Sequence, residues 1–158
     1  MQVLVLFYSK TGHTEKLAEE VAKGVESAGV KAVLRSTQEV TRDDFLDSAG
    51  IIAGSPVYFG IMAHDLKRVF DEFVGLRKKM EDKVGAAFAT GGHQTGGKET
   101  TIMSIIQCMM IYSMIIVGDP LSASGHYGVG CVGAPDKRTS FDAQKLGERV
   151  AVLCKKLR

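Results

Sequence analysis

The chain is 158 residues long, 45% hydrophobic and 24% charged, a composition that fits one soluble globular domain able to bury a substantial core. Twenty Lys and Arg against eighteen Asp and Glu leave a net charge of +2. That balance argues against a nucleic-acid binder, and the basic runs Arg77-Lys78-Lys79 and Lys155-Lys156-Arg158 read as solvated faces.

In chain order, five short apolar runs predict strands at residues 2–8, 30–35, 50–54, 84–90 and 114–117, with helical patterns between them. The first helix would bury Leu17, Val21 and Val25 with Ala18, Ala22 and Ala28, at i, i+3 and i+4 spacings. Thr41-Arg42-Asp43-Asp44 has the form of a capping signal for a short second helix through Phe45 and Leu46. Leu66, Val69, Phe70 and Phe73 give a third helix one apolar face. Residues 100–113 make a fourth, apolar nearly all round, which predicts burial on several sides. Met103, Met109 and Met110, with Met114 after them, read as core filler. Leu146, Val150, Leu153 and Leu157 define the last helix. Strands that are apolar throughout and separated by helices predict a single α/β doubly wound domain over residues 1–158, its parallel sheet covered on both faces. Residues 118–135 remain as one long irregular stretch, and loops of that length tend to carry function.

Right-handed crossovers gather the strand-to-helix loops at the carboxyl edge of such a sheet, where ligands bind. Ser9-Lys10-Thr11-Gly12-His13-Thr14 lies directly between the first strand and the first helix. A turn there offers unpaired N–H groups and the positive end of the helix dipole, so it suits a phosphate. Ser9, Thr11 and Thr14 add three hydroxyl donors, and His13 can donate as well. The second loop, Ser55-Pro56-Val57-Tyr58-Phe59-Gly60, presents two adjacent aromatics on a turn bounded by proline and glycine. The third, Thr90-Gly91-Gly92-His93-Gln94-Thr95-Gly96-Gly97-Lys98, is glycine-rich, so its amides can approach a flat ring and bond its polar edge. A phosphate site, an aromatic wall and an amide-rich edge together describe a pocket for flavin mononucleotide (FMN).

Ser9-x-Thr11-Gly12-x-Thr14 resembles the phosphate loop of flavodoxins. Taken with residues 54–60 and Gly96-Gly97-Lys98-Glu99-Thr100-Thr101, and with Gly125-His126-Tyr127-Gly128 in the long loop, the chain resembles the WrbA family of flavodoxin-like NAD(P)H:quinone oxidoreductases. The resemblance runs from Gln2 to the final helix. It implies a five-stranded sheet in the order 2-1-3-4-5. It also implies FMN contacts on residues 9–14, on Pro56, Val57, Tyr58, Phe59 and Gly60, and on Thr90, Gly91, Gly92, His93, Gly96 and Gly97. A histidine that the family places near the ring falls at or beside Tyr112, which makes Tyr112 a further candidate contact. The chain departs from the family at Val57 and Tyr58, where threonine and arginine are usual, and it has no tryptophan.

Other motifs fail on context. Residues 92–98 nearly spell a nucleotide P-loop, but Glu99 stands where the magnesium-binding hydroxyl belongs, and the loop follows the fourth strand. Gly128-Val129-Gly130-Cys131-Val132-Gly133 matches GxGxxG and is followed by Ala134-Pro135 instead of a helix start. Cys108, Cys131 and Cys154 have no metal-like spacing and suit a reducing, cytoplasmic compartment. No metal site, signal peptide or membrane span is expected, since the longest apolar stretch is shorter than the ~20 residues a span needs.

The expected function is an FMN-dependent oxidoreductase in which NAD(P)H gives a hydride to the flavin and a small-molecule quinone then takes two electrons. Amides near Gly96 and Gly97 would face the flavin's polar edge. His126 and Tyr127 are the candidate catalytic pair, able to bind or protonate a quinone oxygen at their own or a neighbouring subunit's flavin. A homodimer or homotetramer is expected. The alternative is a flavodoxin-type electron carrier that docks to redox proteins; such carriers are usually strongly acidic, unlike this chain.

Overall fold

A computed structural model describes residues 1–157. Five elements build the parallel core of the sheet: β1 (Gln2–Phe7), β2 (Lys31–Ser36), β3 (Ser48–Tyr58), β5 (Val84–Gly91) and β6 (Ile115–Ile116). Their order is β2-β1-β3-β5-β6, which is the expected 2-1-3-4-5 when the parallel strands are counted in sequence. In β1 and β5 nearly every side chain is buried, because helices cover both faces.

One face carries α1 (His13–Ser27) and α5 (Lys137–Lys156), which pack Leu17, Val21, Leu146 and Val150 against Val3, Val5 and Phe88. The other carries α2 (Arg42–Asp47), α3 (His64–Glu72), a 3-10 turn at Val74–Lys79 and α4 (Lys98–Ile111). There Phe45 meets Phe70 and Phe73 edge to face, and Ile102, Ile105 and Met109 close the layer. The capping signal before α2 is realised in full. The Asp44 amide donates to Thr41 Oγ1, and the Thr41 amide donates to the Asp44 carboxylate.

Three expectations are corrected. β3 runs beyond residue 54 to Tyr58, then turns back through β4 (Ile61–Met62) as a hairpin. The long irregular stretch contains a strand, β7 (Val129–Val132), which pairs in parallel with residues 88–91 of β5. The sheet edge is therefore split. β6 pairs with the first two residues of β5, the chain leaves for residues 117–128, and β7 resumes the same edge. Gly128 makes the return possible, since a Cβ there would stand 2.1 Å from the Ala87 carbonyl oxygen. Finally, α4 is not buried all round. Met109 is core, but Met103, Met110 and Ile111 are exposed, Met110 at 61%, so the apolar outer face of this helix lies open.

Candidate functional site

The loops after β1, β3 and β5 converge at the carboxyl edge around a cleft of about 390 Å³. Its walls are Lys10, Thr11, His13 and Thr14 from the first loop, Pro56, Val57 and Tyr58 from the second, and Thr90, Gly91 and Gly92 from the third. Val132 and Gly133, at the end of β7, complete it.

The first loop is shaped by Gly12, which caps α1 in the left-handed region at φ +86° while its amide donates to Ser9 Oγ at 3.1 Å. Ser9 Oγ accepts in that bond and keeps its own hydrogen, whereas the Thr14 hydroxyl is engaged with another loop. Thr14 is buried and shares a 2.8 Å hydrogen bond with Thr90, which locks the first loop to the third. Each hydroxyl has one hydrogen, so the pair keeps a single hydrogen for an anion, beside the exposed Thr11.

In the second loop Phe59 and Gly60 both take positive φ, the mark of a type I′ hairpin turn. For a bulky residue such as Phe59 that conformation costs about 1 kcal/mol or more. Its ring is fully exposed, at 106%. The hairpin is fixed at its base: the Ala63 amide donates to Ser55 Oγ at 2.8 Å, and the Met62 amide donates to Ser104 Oγ on α4 at 3.0 Å. Beneath it, Tyr8 meets Tyr58 edge to face at 6.4 Å. Burial, and then the Asp65 carboxylate, hold the Tyr8 phenol above its ordinary range, so it remains a donor at neutral pH.

The third loop organises itself through Lys98. That side chain is buried, and its ammonium donates to the carbonyls of Gln94 at 2.6 Å and His93 at 3.4 Å. The lysine of the near-P-loop thus closes its own turn instead of reaching for a second phosphate. The Gly96 amide is also taken, by the His93 carbonyl at 3.2 Å. Gly91 and Gly92 are the third-loop glycines that line the cleft, and His93, Gly96 and Gly97 are not among its lining residues.

Ser9, Gly12, Phe59 and Gly60, on the first and second loops, are likewise not among the cleft's lining residues. Tyr112 lies elsewhere. It ends α4 at the opposite edge of the sheet, is 2% exposed, and donates from its hydroxyl to the Phe70 carbonyl at 2.6 Å. It is a core residue, its phenol pushed upward chiefly by burial. His126 and Tyr127 are also absent from the cleft and line a separate cavity outside β7. Val132, Gly133 and the role of Tyr8 escaped sequence reasoning. Val132 ends β7 and Gly133 follows it; in that strand Val129 and Cys131 are buried while Gly130 and Val132 are exposed, a period of two that the residue types Val-Gly-Cys-Val show only weakly. Burial lifts the Cys131 thiol to about 11, so it stays protonated at neutral pH. No disulfide joins the cysteines, and no cluster of metal-ligating side chains occurs, among the described residues.

A five-stranded doubly wound sheet with an anion turn after its first strand, a hairpin after its third and a glycine loop after its fourth defines a flavodoxin-like protein. The model of the family described as Flavodoxin matches residues 5–106, and the chain belongs to that family. It is 34% identical over 157 aligned positions to a flavodoxin of Aquifex aeolicus, with 95% of this chain and 85% of the relative covered. It is 31% identical over 188 positions to an NAD(P)H dehydrogenase (quinone) of Archaeoglobus fulgidus, with 99% and 98% covered. Among solved structures, a WrbA-like flavodoxin from Agrobacterium tumefaciens superposes with a TM-score of 0.84 at 22% identity, covering 99% of each chain, a likeness of fold.

Proposed function

We propose that the chain is an FMN-dependent oxidoreductase that takes a hydride from NAD(P)H and delivers two electrons to a quinone-type acceptor. The observation that carries the reading is the cleft itself, in which the Thr14–Thr90 bond holds an anion turn against a wall of Tyr58 and a floor of glycine backbone. Relatives of 31–35% identity named NAD(P)H dehydrogenase (quinone) support the donor and acceptor.

When bound, FMN supplies hydride acceptance and the two-electron reduction of a quinone. The chain's own residues do the rest. The amides after Gly12 and the hydroxyls of Thr11 and the Thr14–Thr90 pair would hold the phosphate. Gly91 and Gly92 would offer bare backbone to the ring's polar edge. Tyr58, braced by Tyr8, would shield the ring from water. His126 and Tyr127 line the separate cavity outside β7, so this reading assigns them no role at this chain's own flavin.

The same reading includes assembly into a homodimer or homotetramer in the cytoplasm. Phe59, Ile61, Met103, Met110 and Ile111 expose an apolar band along the hairpin and the outer face of α4, and a second copy of this chain would cover it. No helix among the described residues is long and apolar enough to cross a membrane.

Anaerobic titration with NADH, followed by visible absorbance, tests the activity. The purified protein should be yellow, lose its flavin absorbance on adding NADH, and regain it on adding a quinone. Colourless protein overturns the cofactor assignment. Yellow protein that NADH and NADPH leave unchanged overturns the enzyme reading and favours an electron carrier.

A further inference from the structure

Lys98 is a cation in a place that disfavours one. It is 7% exposed and opens α4 directly after the Gly97 cap, where the positive end of the helix dipole opposes an ammonium. The carbonyls of Gln94, at 2.6 Å, and His93, at 3.4 Å, accept from it, but neither brings a compensating charge. No ion pair among the described residues includes it. The carboxylates of the neighbouring cavity are engaged elsewhere: Asp136 with the Thr139 amide, Asp142 with Ser124 and Arg138, and Asp119 with the Gly128 amide. Glu99, next along α4, is exposed to water. A buried cation without a counter-charge is costly, so a fold that keeps one gains when an anion comes near.

The slot that holds Lys98 indicates which anion. A Cβ on Gly91 would stand 3.2 Å from Lys98 Cγ, and one on Gly130 would stand 3.3 Å from Lys98 Cβ. The stem therefore runs between β5 and β7 through space that two glycines leave open. Gly91 lines the flavin cleft, so the stem passes directly behind the cleft wall. Its ammonium closes the third loop, the one whose glycine backbone borders the cleft.

We propose that Lys98 is the counter-charge of the reduced flavin, a positioning residue that acts from behind the third loop and favours the two-electron-reduced ring over the oxidised one. This deepens the FMN reading of the cleft and rests on it. The ring of oxidised FMN is neutral. A hydride from NAD(P)H, which leaves as the oxidised nucleotide, adds two electrons and one proton, so the ring then carries one negative charge. The phosphate is the same in both states, and only the ring distinguishes them. A cation already fixed behind the glycine wall stabilises the new charge without reorganising as it forms.

Two variants test this. Lys98→Met keeps an apolar stem and removes the charge, whereas Lys98→Gln removes the charge and retains an amide donor for the loop carbonyls. The two-electron midpoint potential of bound FMN is measured at pH 8 against a reference dye, and the affinity for oxidised FMN by fluorescence titration. Both variants should bind reduced FMN about tenfold more weakly relative to oxidised FMN, the scale of one unit charge acting through a protein interior, and the potential should fall by about 30 mV. Lys98→Gln remains informative if Lys98→Met loosens the loop. Equal losses of oxidised and reduced affinity would mean that Lys98 only shapes the loop or serves the phosphate, and would overturn the proposal. A potential lowered in Lys98→Met but not in Lys98→Gln would overturn it too, since the missing charge is common to both. Protein that binds no FMN overturns the cleft reading together with this inference, whereas yellow variants that keep the parent potential overturn this inference alone.

Discussion

The flavin cleft and the cavity outside β7 are both walled by loops at one end of the same sheet, yet they are built in different ways. The cleft uses short turns that leave a strand and start the next element within a few residues: Gly12 caps α1, and Gly97 caps α4. Each turn is shaped locally, and one cross-link, Thr14 to Thr90, joins them. The cavity depends on contacts distant in sequence. Its floor is set where the Gly128 amide meets Asp119, where Ser124 meets Asp142, and where Arg149 reaches back to Gly118. Local order makes a site robust, whereas closure over distance makes one that substitutions at its hinges can open.

Substitutions can break this contrast, and the largest effect should come from Gly12→Asp. It forces an L side chain to φ +86° and sets a carboxylate against the phosphate, so the protein should purify without flavin, more than about a hundredfold weaker in FMN binding, while circular dichroism stays native. Gly128→Ala should be the most damaging change to the cavity. Its new methyl meets the Ala87 carbonyl at 2.1 Å, and a loss of about 3 kcal/mol, roughly 6–12 °C in Tm, should be visible by calorimetry. FMN affinity should fall less in this variant than in Gly12→Asp; equal losses would show that the two regions are one unit.

Thr90→Val removes the cross-link at nearly constant volume. It should cost about 1 kcal/mol of stability and weaken FMN severalfold in a fluorescence titration. Asp119 supplies a pH signature for the cavity. Because its proton is held more tightly in the folded state than in the unfolded one, stability contributed by this group falls as pH rises from the ordinary aspartate range through its raised value. Asp119→Asn should flatten that slope in denaturant melts, and an unchanged slope would place the signal on another group. Smallest in stability is Met110→Lys, within about 0.5 kcal/mol for the folded chain. It should nonetheless shift the assembly toward monomer in light scattering if α4 is the contact surface.

The parts legible in the sequence follow the same division. β1, β5 and the inner faces of α1 and α3 announce themselves by apolar runs and spacing, and the Thr41–Asp44 cap by residue type alone. Lys10, Thr11, His13, Thr14, Pro56, Val57, Tyr58, Thr90, Gly91 and Gly92 fall where loop order after strands puts them. β7 was hidden because two of its four residues are exposed and one of those is Gly130, which gives a weak alternation inside a glycine-rich stretch. Tyr112 misleads because a position matched along the chain says nothing of which way α4 turns its last residue, and that turn buries it against Phe70. The outer face of α4 misleads for a related reason. An apolar pattern records that a surface avoids water, and the cover can come from another molecule.

The split edge has a consequence for how copies of this chain can meet. A sheet border invites a foreign strand when it offers a long, flat row of unpaired amides and carbonyls. Here that border is two residues of β6 and four of β7 with a twelve-residue departure between them, and the opposite border, β2, displays Lys31 and Arg35. Neither side offers a template for continuing the sheet from one molecule into the next. A second copy would have to meet this molecule on its broad side, over the exposed apolar band of the hairpin and α4.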